Sequence, residues 1–253
     1  MVAIKEYRIT NNCTVEEYQV AQLYAVAQAS KNETGGGEGV EVRKNEPYDD
    51  DKGKGQYTYK VYHLASRLPS YISKIAPASA LELHEEAWNG YPYCKTVLTN
   101  PFMGKNFKII YETQHVGNDR GQLENALNAP PEVLKNRKVV HIDVANDKPD
   151  KYKPEEDPTK FKSTKTERGP LQGEWMKTCE PVMTCYKLVT AEFIWFGMQG
   201  LVETFIHKTV LQLFLSFHRQ LFCWTDQWYG MTIQDIRDLE AQTAKELEEV
   251  SHL

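Results

Sequence analysis

The stretch GQYTYKVYHL, residues 55–64, mixes aromatic, β-branched and polar residues in the alternation that is typical of a β-strand. Successive side chains of a strand point to opposite faces, so Thr58 and Lys60 share one face, while Tyr57 and Tyr59 share the other. A hydroxyl and an ammonium on one face can bind a single anion. The alternation alone nevertheless predicts that Lys60 faces solvent, because the aromatic face is the better candidate for the core.

Further strands and helices are predicted along the whole chain. The strands fall near residues 2–10, 80–88, 92–99, 106–115, 139–144 and 184–195. Long helices are predicted after the capping box Thr14–Glu17, over about 198–224, and from Thr232 to about residue 250. Shorter elements are expected at residues 40–42 (strand), 49–55 (hairpin loop), 70–75 (helix) and 131–136 (helix). This pattern predicts an α+β fold with one mainly antiparallel sheet, in a single domain of residues 1–253.

The composition excludes several classes of protein. The 253 residues carry a formal net charge of −5, which argues against a nucleic-acid binder with a basic stripe. No uninterrupted apolar stretch reaches about 18 residues, and the N-terminus lacks the pattern of a signal peptide, so we expect a cytoplasmic protein. The five cysteines lack paired spacing, which favours reduced thiols over a disulfide framework or a zinc site.

The sequence lacks the common motifs of enzyme active sites, since GxGxxG, P-loop, HExxH and GxSxG patterns do not occur. His84 with Glu86, and His141 with Asp143, are the only nearby candidates for an acid–base pair. The first pair lacks the second histidine of a metal motif, and the second is better explained as the polar face of a strand. Catalysis is therefore only an alternative interpretation.

Six strings are found together, in this order, in one known family. They are KEYRI, GQYTYKVYHL, AWNGYPYCKT, FKSTKTERGPL, CYKLVT and FHRQLFCW. With them, the chain closely resembles the class I phosphatidylinositol transfer proteins from Lys5 to about Leu247. The resemblance implies a START-like helix-grip fold, in which a curved, mainly antiparallel sheet and long helices enclose a lipid-binding cavity. It also implies a non-enzymatic carrier that binds one phosphatidylinositol or phosphatidylcholine molecule, with no metal and no other cofactor.

The same resemblance assigns the residues of the headgroup site. It implies that the inositol phosphate headgroup is bound by Thr58, Lys60, Asn89 and Glu240. Further headgroup contacts are implied at Gln22, Cys94, Thr96, Thr113 and Lys187, with Lys187 opposite the phosphate. Taken without the family, Asn89 would be interpreted as a turn residue, Glu240 as a solvated helix position and Cys94 as core filling.

The resemblance further implies how the carrier works at a membrane. Trp195 and Phe196 would form the membrane-docking loop, although sequence alone favours a place in the core for them. Residues 146–182 would form a regulatory loop region with a phosphorylation site at Ser163, and residues 231–250 a C-terminal lid helix. The implied protein is a monomer that associates transiently with membranes, exchanges lipid between them and supports phosphoinositide supply. A helix-grip enzyme and a lipid-sensing adaptor that does not transfer lipid are the alternatives.

Two positions depart from the family pattern. Relatives carry two tryptophans where this chain has Trp195 and Phe196, so the indole N–H of the second is missing. Residues 209–214, TVLQLF, are more apolar than the charged segment of the vertebrate members. Either this helix face is more deeply buried, or it forms an additional partner surface.

Overall fold

The computed structural model describes residues 2–33, 40–50, 53–63, 81–194 and 199–239. In this part of the chain eight strands form one sheet: β1 (Val2–Asn11), β2 (Val40–Asp50), β3 (Gly53–His63), β4 (Glu82–Gly90), β5 (Tyr93–Thr99), β6 (Phe107–Gly117), β7 (Lys138–Ile142) and β8 (Met183–Phe193). Their order across the sheet is β2-β3-β4-β5-β6-β8-β1-β7. All neighbours are antiparallel except β1 and β7, which run parallel. The predicted α+β fold with a mainly antiparallel sheet is confirmed.

The helices of the described residues connect and cover this sheet. They are α1 (Val15–Glu33), α2 (Pro131–Asn136), α3 (Trp175–Thr178), α4 (Gln199–Cys223), α5 (Thr225–Trp228) and α6, which is described over residues 233–239. None of the helices in the described ranges is long and apolar enough to cross a membrane.

The predicted capping box at the start of α1 is present. The backbone N–H of Glu17 donates to Thr14 Oγ1 at 3.1 Å, and the N–H of Thr14 donates to Glu17 Oε2 at 2.9 Å. Two backbone donors of the first turn are thereby satisfied by each other's side chains. The predicted N-cap Thr232 is also present, because its Oγ1 accepts from the N–H of Asp235 at 3.2 Å. Local chemistry therefore fixes where these two helices begin.

Helix α4 packs on one face of the sheet, and the aromatic ring of Phe214 makes the contact. This ring makes edge contacts with Tyr7 on β1 and Tyr111 on β6, at centroid distances of 5.4 and 6.3 Å. The apolar segment 209–214 is therefore only partly explained by burial: Val210 is buried and Phe214 packs on the sheet, but Leu213 is 59% exposed.

Residues 40–55 depart from the sequence prediction. A short strand at 40–42 and a hairpin loop at 49–55 were expected, but β2 extends to Asp50 and β3 begins at Gly53. Charged residues suggested a loop here, yet β2 is an edge strand whose side chains are almost all exposed, so charges do not oppose its pairing. Among the other predicted helices, 131–136 is confirmed and 70–75 lies outside the described residues.

Candidate ligand-binding site

The predicted headgroup residues of the inner strands lie in one row across the sheet. Asn89 on β4 is directly opposite Cys94 on β5, Cys94 is opposite Thr113 on β6, and Thr113 is opposite Lys187 on β8. Directly opposed residues point to the same face. Lys187 in turn is opposite Tyr7, whose ring contacts Phe214, so this row faces helix α4. We call this side of the sheet the inner face.

A second row, two residues further along the strands, extends the inner face to β3. Thr58 is opposite Ala87, Ala87 is opposite Thr96, and Thr96 is opposite Tyr111. Lys60 follows Thr58 by two residues and therefore shares its face. Its side chain is 20% exposed. The inference from alternation alone, that Lys60 faces solvent, is corrected: cross-strand packing rather than the local pattern decides which face of β3 is covered.

Lys187 is a buried lysine that has no counter-charge among the residues described by the structure. The residue is 9% exposed, and it makes no hydrogen bond or ion pair with any described residue. Its Nζ lies 5.2 Å from the ring centroid of Phe214, which offers only a cation–π contact. Burying a charge without a partner costs free energy. An anion bound on the inner face would offset this cost.

Four more buried polar atoms, on helix α1, on β1, on β6 and in the turn between β4 and β5, have no hydrogen-bond partner among the described residues. They are Tyr7 Oη, Gln22 Oε1, Tyr91 Oη and His115 Nε2. Tyr7 is opposite Lys187, and His115 follows Thr113 by two residues on the same face of β6. Buried polar groups in folded proteins are almost always paired, so a cluster of unpaired ones indicates a place that a polar ligand or water fills.

Two buried histidines near Lys187, His115 on β6 and His218 on α4, are neutral. His115 Nδ1 donates to the carbonyl of Pro92 at 2.7 Å, and His218 Nδ1 donates to the carbonyl of Phe214 at 2.7 Å. Burial, and secondly the charge of Lys187, lowers the pKa of each imidazole to about 3. His218 Nε2 then accepts from the hydroxyl of Tyr18 at 2.9 Å, whereas His115 Nε2 is left as a free acceptor.

Helix α1 brings Gln22 to the same region. The ring centroid of Tyr18, one turn earlier on this helix, lies 5.1 Å from that of His115. The ring of Tyr91 stacks on His115, at a centroid distance of 4.5 Å. Residues four apart share one side of a helix, so Gln22 and Tyr18 face the same way. Sequence reasoning missed Tyr7, Tyr91 and His115. The cross-strand register reveals Tyr7 and His115, and the stacking of its ring on His115 reveals Tyr91.

Lys60 differs from Lys187 because it has a carboxylate beside it. Glu85 is directly opposite Lys60, and its Oε1 lies 3.9 Å from Lys60 Nζ, with side-chain exposures of 19% and 20%. Glu85 Oε2 accepts from the hydroxyl of Tyr62 at 3.1 Å. Glu85 carries no local sequence signal of a site, and only the pairing of β3 with β4 places it beside Lys60.

A glycine on β3 allows the close approach of β4 at Asn89. A Cβ added to Gly55 would lie 2.1 Å from the carbonyl oxygen of Asn89 and 2.8 Å from Cα of Gly90. Both contacts are with backbone and cannot be relieved by a side-chain rotation. Gly55 therefore sets the position of Asn89 without contributing an atom to the inner face.

Cys94 is a thiol rather than a thiolate at neutral pH. It is 8% exposed, and burial raises its pKa to about 11, although the charge of Lys187 acts in the opposite direction. The thiolate is the nucleophilic form of cysteine, so this side chain is not activated for catalysis.

The candidate acid–base pairs have structural roles. On the outer face of the sheet, Glu86 accepts from the hydroxyl of Tyr57 at 2.8 Å, and His84 Nδ1 shares a hydrogen bond of 2.5 Å with the hydroxyl of Tyr59. Asp143 accepts from the indole of Trp175 at 2.9 Å and from Asn146. Within the described ranges, no three His, Cys, Asp or Glu side chains are grouped as metal ligands would be. The enzyme alternative is not favoured.

The loop region 146–182 is bound to the helices by a set of contacts that we call the loop anchor. Arg168 donates to both carboxylate oxygens of Glu17 on α1, at 2.8 and 2.9 Å. Asp226 on α5 accepts from the hydroxyl of Ser163 at 2.5 Å and from Thr164 and Lys165. Ser163, the predicted phosphorylation site, is 1% exposed.

A second part of the loop anchor lies on helix α4. Arg219 is 4% exposed and donates to the carbonyl of Val144 at 2.8 Å, to the carbonyl of Ala145 at 3.4 Å, and to Asp157 at 3.3 Å. Asp157 also accepts from Thr159 at 2.7 Å. The remaining predicted residues, Glu240, Trp195 and Phe196, lie outside the described residues.

An eight-stranded, mainly antiparallel sheet covered by a long C-terminal helix is a START-like fold, and polar groups on its inner face have no hydrogen-bond partner within the described ranges. A family model described as "Phosphatidylinositol transfer protein" matches residues 2–245, and the chain belongs to this family.

Curated relatives match over nearly their whole length. The beta isoform of human phosphatidylinositol transfer protein is 52% identical over 256 residues, covering 98% of this chain and 94% of the relative. Phosphatidylinositol transfer protein 2 of Dictyostelium discoideum is 54% identical over 246 residues, covering 96% of this chain and 95% of the relative. Phosphatidylinositol transfer protein 5 of the same organism is 47% identical and covers all of this chain.

Proposed function

We propose that this protein is a lipid carrier without catalytic activity, which takes one phosphatidylinositol or phosphatidylcholine molecule from a membrane and exchanges it at another. The observation that carries the proposal is the inner face, where Lys187 lies in one row with Thr113, Cys94 and Asn89 and has no ion-pair partner in the described part of the chain. A lipid phosphate opposite Lys187 would supply the missing anion. The family and the names of the relatives support the same function.

The carrier solves a physical problem of lipid exchange. At about 0.8 kcal/mol per CH₂ group, transfer of two acyl chains from a bilayer into water costs tens of kcal/mol. The chains must therefore be covered while the lipid moves. We propose that the sheet and helix α4 cover them, and that the loop region 146–182 and the lid helix at 231–250 open at a membrane.

The proposed headgroup site combines the residues of the inner face with one outside the described ranges. Thr58, Lys60, Asn89 and Glu240 would bind the inositol phosphate headgroup, with Asn89 and Glu240 at the inositol hydroxyls. The residues that would complete the pocket are Gln22, Cys94, Thr96, Thr113 and Lys187. The direct test is extraction of the purified protein with organic solvent and mass spectrometry of the bound lipid. Near-stoichiometric phosphatidylinositol and phosphatidylcholine would support the carrier, and a different ligand would overturn it.

The variants Lys60→Ala and Thr58→Ala test the headgroup assignment. Choline has no hydroxyl to donate or accept, so phosphatidylinositol uses more of these polar groups than phosphatidylcholine does. We expect transfer of phosphatidylinositol between vesicles to fall about tenfold, and transfer of phosphatidylcholine to change little. Equal loss for both lipids would indicate general destabilisation and contradict the assignment.

Membrane docking is proposed for Trp195 and Phe196, on the segment between β8 and α4. Aromatic side chains favour the interface between water and lipid, and Phe196 retains apolar area without an indole N–H. Trp195→Ala should slow transfer of both lipids while lipid that is already bound stays in place. Transfer at the normal rate by a folded variant would contradict docking through this residue.

The cellular setting follows from the same proposal. A monomer that resides in the cytoplasm and touches membranes transiently could deliver phosphatidylinositol to the kinases that phosphorylate it. Phosphorylation of Ser163 would act as a regulatory signal, because it would place about two negative charges beside Asp226. Incubation of the protein with a serine kinase, followed by a transfer assay, would test this regulation.

A further inference from the structure

The turn between β5 and β6, residues 100–106, exposes one large apolar side chain. Phe102 is 52% exposed. Met103, the next residue, packs against the hydrophobic core, and so does Phe107, the first residue of β6. Core surface is therefore within reach of this turn, and the backbone of the turn nevertheless directs Phe102 into solvent.

Asn100 fixes the conformation of this turn. Its Oδ1 accepts from the N–H of Met103 at 2.9 Å, and its carbonyl accepts from the N–H of Gly104 at 2.9 Å. Its Nδ2 donates to the carbonyl of Glu82, at the start of β4, at 2.8 Å. Gly104 has a φ of +53°, a conformation that favours glycine. A side chain on a fixed turn loses little conformational freedom when it binds a partner.

A second exposed apolar side chain, Ile194, adjoins this turn at the end of the sheet where β8 ends and β6 begins. The N–H of Ile194 donates to the carbonyl of Asn106 at 2.8 Å. Ile194 is 60% exposed, and Trp195, the first residue of the proposed docking segment, follows it directly in the chain. Phe102 and Ile194 are therefore continuous with that segment.

Lys105 adds a positive charge to the same turn. It is exposed, and it forms no ion pair or hydrogen bond with the residues of the described ranges. We call Phe102, Lys105 and Ile194 the turn patch. Aromatic side chains favour the interface between water and lipid, and lysines near a bilayer are attracted by anionic headgroups. The turn patch therefore complements a bilayer that contains anionic lipid.

We propose that the turn patch is a second point of membrane contact, which binds the surface of bilayers that contain phosphatidylinositol, an anionic lipid. This inference rests on the proposed carrier function. A single docking segment would leave the molecule free to rotate about that segment. Two contacts on neighbouring segments fix the orientation of this end of the sheet against the bilayer, and together they bind more tightly than either alone.

Phe102→Ser tests the inference on the full chain. The probes are vesicles of phosphatidylcholine that contain phosphatidylinositol as a minor component, and binding is measured by sedimentation with the vesicles. We expect the affinity for vesicles to fall about tenfold, because an aromatic side chain no longer leaves water, and transfer of both lipids to slow with it. Thermal unfolding should be unchanged, since the side chain is exposed.

Two further variants control for a general effect of the substitution. Phe102→Trp should bind vesicles at least as well as the wild type, because an indole suits the membrane interface. Leu213→Ser is the matched control: Leu213 is 59% exposed, but it is on α4 and outside the turn patch, so binding should not change.

Lys105→Gln tests the part of the charge separately. Its affinity should fall about threefold on vesicles that contain phosphatidylinositol, and the difference should disappear in high salt. On vesicles of phosphatidylcholine alone, Lys105→Gln and the wild type should bind equally.

Several outcomes would overturn the inference. Normal vesicle binding by Phe102→Ser, or an equal loss in Leu213→Ser, would remove the turn patch from the membrane contact. If Phe102→Ser instead changes the molecular mass in sedimentation equilibrium from dimer to monomer and leaves vesicle binding intact, the patch is a contact between two copies of the chain. A wild-type protein that binds vesicles but transfers no lipid would refute the carrier function and leave the contact itself in place.

Discussion

The inner face around Lys187 and the loop anchor differ in whether their buried polar groups have partners among the described residues. In the loop anchor each charge has partners: Arg168 bonds Glu17 twice, Arg219 bonds Asp157 and two carbonyls, and Asp226 receives its donors from residues 163–165. On the inner face, Lys187 makes no hydrogen bond or ion pair with the residues that the structure describes, and only a cation–π contact with Phe214. Satisfied groups stabilise the folded chain, whereas unsatisfied ones cost stability. The first region therefore stabilises the folded chain, whereas the second contains polar groups that a bound ligand would satisfy.

The largest expected effect is on stability, from Arg219→Met. This change removes a buried guanidinium and leaves Asp157 and the carbonyls of Val144 and Ala145 with fewer donors. Breaking a buried pair from one side costs about 3–5 kcal/mol, which urea denaturation can measure. Lys160→Met is the control, because Lys160 also lies near Asp157, at 3.7 Å, but is 67% exposed and should cost less than about 1 kcal/mol. Equal losses for the two variants would contradict the role of the anchor.

As the pH falls, the buried histidines of the inner face should reduce the free energy of unfolding at a higher pH than the acidic groups of the loop anchor do. His115 and His218 have pKa values of about 3 when folded, against 6.5 as the ordinary value. Below pH 6.5 the unfolded chain therefore binds more protons, and stability falls by roughly 1–2 kcal/mol per histidine between pH 7 and pH 5.

The acidic groups of the loop anchor lose their contribution to stability only at lower pH. Hydrogen bonds from Thr159 and Tyr152 outweigh burial and lower the pKa of Asp157 to about 2, so its contribution is complete above about pH 4 and is lost only below that. Urea denaturation at pH 7, 5 and 3.5 separates the two ranges. His115→Asn should remove up to about half of the loss between pH 7 and pH 5, because the loss is shared with His218 and with His141, whose pKa burial also lowers. An unchanged loss would show that another group titrates there.

Lys187→Met should affect function without harming the fold. The apolar side chain fills similar space and removes an uncompensated charge, so the free energy of unfolding should stay the same or rise by up to about 1 kcal/mol. Transfer of phosphatidylinositol and phosphatidylcholine should both fall at least tenfold, because both lipids carry the phosphate. A variant that is destabilised by several kcal/mol would show that Lys187 has a structural role instead.

The sequence predicted the elements whose signals are local. The capping box at Thr14, the N-cap at Thr232 and the helix at Pro131–Asn136 depend on neighbouring residues only, and all three are present. The edge strand β2 was predicted too short, because its charged residues resemble a loop and its pairing with β3 is not local information.

The site was only partly accessible from the sequence. The resemblance brought Asn89, Cys94, Thr113 and Lys187 to attention, and the register aligns these four in one row. Their roles stay predictions. His115 and Glu85 were missed as members of a site, because nothing within their own strands distinguishes them from ordinary strand residues. Their significance depends on what lies across the sheet, which no spacing along the chain reveals.

The close packing of β3 on β4 at Gly55 has a consequence for interpreting natural variation. This residue touches no ligand in the proposed function, and its contribution is the space that it leaves for the carbonyl of Asn89. Any larger side chain would push one strand away from the other at the row that Asn89 begins. A natural substitution at Gly55 would therefore change lipid preference, although this residue itself makes no contact with the lipid in the proposed function.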